Sequence, residues 1–101
     1  SLLRAMSDSI QTSKLYWRLV DHTAKPLTLE EVFYMATIGG GSFFGKVGSF
    51  EKDYEFDAVI LSDENLPYPQ TFTPKQRLER LVYLSDDRNI IGKYVAGVKI
   101  F

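Results

Sequence analysis

The residue best suited to moving a proton is His22, the only imidazole in the chain. It directly follows Asp21, and a carboxylate beside an imidazole can orient a general base. No nucleophile with an accompanying signature stands near it. The plainer reading is a residue closing a helix, where partial positive charge suits the dipole. Gly39-Gly40-Gly41-Ser42 has the look of a phosphate loop. A true one places Gly, four residues and then Gly-Lys-Ser/Thr after a strand. Here the glycines follow a helical pattern and Gly45-Lys46 is followed by Val47. A helix interruption that lets two segments pack closely is therefore preferred. Asp63-Glu64 and Asp86-Asp87 offer oxygens of the kind a hard cation takes. Both lie in turn-like sequence, where Asp caps the backbone, and neither has the spacing of a calcium loop. Seven Phe, six Tyr and Trp17 are scattered without an interleaved basic cluster, so a single-strand nucleic-acid platform has no support. On residue chemistry alone, no catalytic, cofactor-binding or metal residue is assigned.

Composition narrows the classes further. The chain has 101 residues, one domain's worth at most. Twelve Lys+Arg against thirteen Asp+Glu leave a net charge of −1, with no electrostatic footprint for nucleic acid or an anionic membrane. Cys is absent, which removes disulfides, thiolate metal sites and Cys nucleophiles. A single His cannot build a multi-histidine metal site within one copy. No apolar run approaches a membrane span. The chain opens on Ser1 without a signal-peptide pattern, and a cytoplasmic chain, processed or cut from something longer, is expected.

The elements that would position these residues follow from periodicity and caps. Leu3, Met6, Ile10, Trp17 and Val20, with Ser13 in the same stripe, predict a helix from Leu2 to about Val20, capped by Ser1. Arg4, Ser7, Asp8, Gln11 and Arg18 take the opposite face. Thr28 and Glu31 form a capping box, with Leu27 and Val32 as its staple. The helix it opens should run to about Ile38, burying Val32, Met35 and Ala36, until the three glycines interrupt it. A short helical turn is expected at Ser42–Gly45 and a tight turn at Lys52–Asp53. Ala58-Val59-Ile60-Leu61 is a continuous apolar run that suits a strand covered on both faces. A loop with Pro67 and Pro69 follows. Thr73-Pro74-Lys75-Gln76 starts a third helix, with Leu78, Leu81 and Val82 inward and Arg77, Glu79 and Arg80 in water. After a turn at residues 86–89, two short strands flank Gly97. Three helices and three short strands make an uncomfortable sheet, which hints at partner strands outside this sequence.

One stretch carries a wider resemblance. Ala36, Thr37, Gly39, Gly40, Gly45, Val47, Gly48, Phe50, Glu51, Asp57 and the Ala58–Leu61 run resemble a pattern in metal-dependent amidohydrolases. There a helix bearing A-T-x-G-G-A leads into a glycine-rich turn, an Asp and an apolar strand. Residues 1–6, residues 11–14, Leu81 to Ile90 and Tyr94-Val95-Ala96-Gly97 are similar to the guanine deaminases within that superfamily. Lys52-Asp53-Tyr54 in place of the usual glycine-containing turn, and Gly41 in place of Ala, are the departures.

The resemblance implies an α+β fragment of a chain several times longer. Residues 1–25 would be the last helix of a TIM barrel and its linker. Residues 26–101 would be the C-terminal helices and strands of a small β-sandwich completed by the chain's N-terminus. It implies zinc in the parent, held by histidines and an Asp that all fall outside this sequence, and a guanine aminohydrolase activity that the fragment itself lacks. The partners it implies are the rest of the parent chain and, for the isolated fragment, self-association through residues 2–20 and 58–61. A stand-alone interaction or oligomerisation module, and the tail of another amidohydrolase of the chlorohydrolase kind, are the other readings.

Overall fold

A computed structural model describes residues 2–66 and 72–101. The expected cap Ser1 and the loop prolines Pro67 and Pro69 lie outside them. The helical start signals act as their spacing predicts. The hydroxyl of Thr28 accepts the Glu31 amide at 3.2 Å, and the Glu31 carboxylate accepts the Thr28 amide at 3.2 Å. Thr73 and Gln76 repeat the exchange at 3.2 and 2.9 Å, with Pro74 in the first turn where its missing N–H costs nothing. These boxes open α2 (Leu29–Tyr34) and α3 (Pro74–Leu84), which follow α1 (Leu2–Leu19). A salt bridge from Lys75 to Glu30 ties the first turns of α3 and α2 together.

The core is the meeting of these three helices. Met6 and Ile10 of α1, Leu29 and Val32 of α2, and Val82 of α3 form one buried cluster. Leu3, Leu27, Ala36 and Leu78 pack against its rim. Three expectations about faces fail. Ser7, assigned to the watery side of α1, is buried, and its hydroxyl accepts from Gln11 at 3.2 Å. Trp17 and Val20, assigned to the inner stripe, are exposed. Burial on α1 stops at Ile10, so the helix runs on past the body it packs against. Met35 is also exposed. It and Ala36 lie on opposite sides of the Val32 direction, and the covered arc is the one on the Ala36 side.

The glycine run does not break the helix where expected. α2 passes into a π turn, Met35–Gly39, and the backbone departs from helical geometry at Thr37 (φ −116°, ψ −105°). Gly40 and Gly41 keep right-handed helical angles, and a 3-10 turn, Ser42–Phe44, follows. The close packing that the glycines suggested is made by Gly41, where a Cβ would stand 2.6 Å from the Val47 carbonyl oxygen, and by Gly48. The φ of Gly48 is +91°, and a Cβ there would stand 2.4 Å from the Thr37 carbonyl oxygen. Only glycine allows the returning chain to lie that near the π turn. The turn at Lys52–Asp53 is present, with Asp53 at φ 71°.

The sheet has three antiparallel strands in the order β1-β2-β3: β1 Ala58–Leu61, β2 Ile90–Val95 and β3 Val98–Lys99. β1 pairs with β2 from Ala58 opposite Tyr94 to Leu61 opposite Ile90, with a bulge between Ile60 and Leu61. The β2–β3 hairpin turns at Ala96 (φ 49°) and Gly97 (φ 78°), both left-handed, as a two-residue turn matched to strand twist requires. The Asp57 carboxylate accepts the Ala96 amide at 2.8 Å, and the Phe56 carbonyl accepts the Gly97 amide at 2.8 Å, which fastens the hairpin to the start of β1. The expectation that β1 is covered on both faces is not met. Val59 is 53% and Ile60 45% exposed. β1 is an edge strand with a single neighbour, and no second layer in the described residues closes over it.

Candidate functional site

His22, Asp21, Asp63 and Asp86 are each engaged within the fold. His22 Nε2 lies 2.8 Å from the Arg18 carbonyl oxygen. A carbonyl can only accept, so Nε2 carries the proton and the ring closes the end of α1. Asp21 does not orient that ring. Its carboxylate accepts both the Thr23 hydroxyl (2.6 Å) and the Thr23 amide (2.9 Å), and these donors hold its carboxyl below the usual range. The base-and-orienter pair that the sequence allowed is not formed.

The glycine run presents no phosphate cradle. The Gly40 amide is bonded to the Met35 and Thr37 carbonyls, and the Ser42 hydroxyl donates to the Gly39 carbonyl at 2.7 Å. Amides held in a helical ladder do not converge on an anion. Asp63 faces Arg77 through two bonds of 2.8 and 3.0 Å, and the guanidinium lowers its pKa. Asp86 caps the 3-10 turn Asp87–Asn89 through the Arg88 amide at 2.9 Å and pairs with the Arg88 guanidinium at 2.7 Å, which lowers its pKa too. One member of each acidic pair is thus engaged, Asp63 as an ion-pair partner and Asp86 as a cap and ion-pair partner.

A zinc ion needs three or four N, S or O donors converging on one point. Among the described residues no group of three His, Cys, Asp or Glu side chains is placed to hold a metal. The single imidazole already serves a backbone carbonyl, and the sequence has no Cys. The residues present here do not fit zinc.

Sequence reasoning passed over Asn89. It is 2% exposed and fully engaged. Its amide nitrogen donates to the Ser62 carbonyl and to the Asn65 side chain, both at 2.7 Å, and its oxygen accepts the Asp86 amide at 3.0 Å. With Asp63–Arg77 it fixes the segment after β1 against α3 and the start of β2. The Asp86-x-x-Asn89 spacing of a capping box was the available signal.

What the elements leave open is a surface. Between the helical layer and the sheet lies an apolar cleft of about 390 Å³, lined by Leu3, Phe33, Ala36, Val59, Leu61 and Leu78 among others. Its polar margin is Thr37, Asp57, Asp87 and Lys93. On the 3-10 turn Phe43 and Phe44, a T-shaped pair with centroids 5.1 Å apart, are 87% and 79% exposed. A largely apolar, open wall of this kind suits packing against protein. Among the described residues no helix is long and apolar enough to cross a membrane.

Known proteins extend the picture. A guanine deaminase from C. acetobutylicum, solved as a crystal structure with guanine bound in the active site, matches with a TM-score of 0.92 and 50% sequence identity. The match covers 100% of this chain and 24% of that one. The guanine deaminase of Dictyostelium discoideum is 36% identical over 108 aligned residues, covering 99% of this chain and 24% of its own length. That of Homo sapiens is 37% identical over 87 residues, 75% of this chain and 19% of the enzyme. This chain therefore spans about a quarter or less of the relatives it matches. The small α+β unit described above reproduces part of a guanine deaminase structure over its whole length. The family profile described as "Amidohydrolase family" matches residues 1–100, and the chain belongs to the amidohydrolase family.

Proposed function

We propose that this chain is the C-terminal portion of a guanine deaminase-like aminohydrolase and is catalytically inert by itself. The observation that carries the reading is the likeness to the C. acetobutylicum enzyme, at 50% identity and a TM-score of 0.92 over the entire chain. The whole protein would hydrolyse guanine. Water adds at the ring carbon that bears the exocyclic amine, the C–N bond breaks, and xanthine and ammonia leave. The residues that perform this step, and the zinc they would hold, belong to the part of the polypeptide outside this sequence. Among the described residues no donor set fits such an ion.

In this reading residues 1–25 form the last barrel helix and its linker, and residues 26–101 form the C-terminal helices and strands of the small sandwich. The core of Met6, Ile10, Val32 and Val82 holds α1 to α2 and α3. The exposed far half of α1, the apolar cleft and the open edge of β1 are the surfaces that the rest of the parent chain covers. The parent is a cytoplasmic homodimer. Freed from that cover, the chain swaps or self-associates through α1 and β1.

The test has two arms. The native polypeptide recognised by an antibody to this chain converts guanine to xanthine and ammonia in equal amounts, and this chain alone gives none. Turnover of a chlorinated triazine or another amine in place of guanine moves the protein to a different amidohydrolase activity. Turnover by the isolated chain overturns its assignment as inert. The unguarded edge of β1, with no Lys, Pro or charge along Ala58–Leu61, also favours a second reading, a stand-alone module that binds by strand addition. That reading requires a native product of this chain's own size.

A further inference from the structure

We draw no further inference here: the strongest candidate, the apolar cleft between the α1–α2–α3 layer and the open edge of β1, belongs to the surface already assigned above to the rest of the parent chain, and nothing else in the structure shows what covers it.

Discussion

Two backbone positions show how much of this fold rests on single residues. Gly48 and Gly97 both have positive φ, but a Cβ at Gly97 meets open space and one at Gly48 meets the Thr37 carbonyl oxygen at 2.4 Å. Gly97→Ala should therefore cost about 1 kcal/mol, the left-handed strain alone. Gly48→Ala adds a backbone collision and should cost about 3 kcal/mol or more. Chemical denaturation of the two variants checks the order, and equal losses would show that the approach to the π turn is unimportant. Ala96 carries the same strain in the wild type. Ala96→Gly should stabilise by about 0.5–1 kcal/mol and raise Tm by several degrees. The acid limb of stability has a sign that the ion pairs set. Asp63 is held low by Arg77, Glu30 by Lys75, and Asp86 by Arg88. Each folded pKa lies below its unfolded value. Their contribution is complete above about pH 5, clear of the unfolded values, and is lost as pH falls through the folded values. Asp63→Asn should flatten that limb in a urea titration at several pH values, and added salt should flatten it as well.

Helix starts were the most legible elements, because a capping box is a contract between neighbours in sequence. Thr28/Glu31 and Thr73/Gln76 close as their spacing demands. Thr28→Ala should cost about 1 kcal/mol. The strand at Ala58–Leu61 was legible from its apolar run and the hairpin from Gly97, though Ala96, read as the end of the strand, belongs to the turn. What failed were statements about burial. Trp17, Val20 and Met35 belong to sound apolar stripes, yet they are exposed, since a stripe reports what a helix can bury and not what stands opposite it. The break at Thr37 was invisible because it falls two residues before the glycines that seemed to announce it. The capping-box spacing of Asp86 and Asn89 was legible, but the burial of Asn89 was not, because the Ser62 carbonyl and Asn65 that complete its bonding are distant in sequence. His22 and the acidic pairs lacked companions at workable spacing, and the structure engages His22 with the Arg18 carbonyl, Asp63 with Arg77 and Asp86 with Arg88. Ile10→Ala, deep in the three-helix core, should cost about 2–5 kcal/mol. Leu19→Ala, on the exposed end of α1, should change the isolated chain by less than about 0.5 kcal/mol. In the complete protein the Leu19 variant should lose much more, and the same small effect in both contexts would mean that nothing covers that half of α1.

As a whole the molecule is under-buried. Its radius of gyration is 15.3 Å, where a domain of this length is expected near 13 Å. It exposes 7729 Å², against roughly 5,800 Å² for a typical folded monomer of this mass. The surplus of about 1,900 Å² is more than the roughly 800 Å² that each partner gives to a standard interface. Phe43, Phe44, Val59 and Ile60 are part of it. The isolated chain should show a concentration-dependent mass in light scattering, and Ile60→Lys on the β1 edge should lower that association. A clean monomer above roughly 100 μM, well beyond ordinary micromolar association, would contradict the open-surface account. On the proposed reading, in which the chain is part of a longer guanine deaminase-like polypeptide, this surplus is the surface that the rest of the polypeptide covers.

The central claim is that this chain is a supporting part of a longer guanine-hydrolysing enzyme. The most direct measurement is the guanine-to-xanthine turnover of the native polypeptide captured through this chain, with its mass read on the same sample. The account predicts stoichiometric xanthine and ammonia from a polypeptide several times heavier than 11.5 kDa. A native product of 11.5 kDa, or a longer one that leaves guanine untouched, would contradict it.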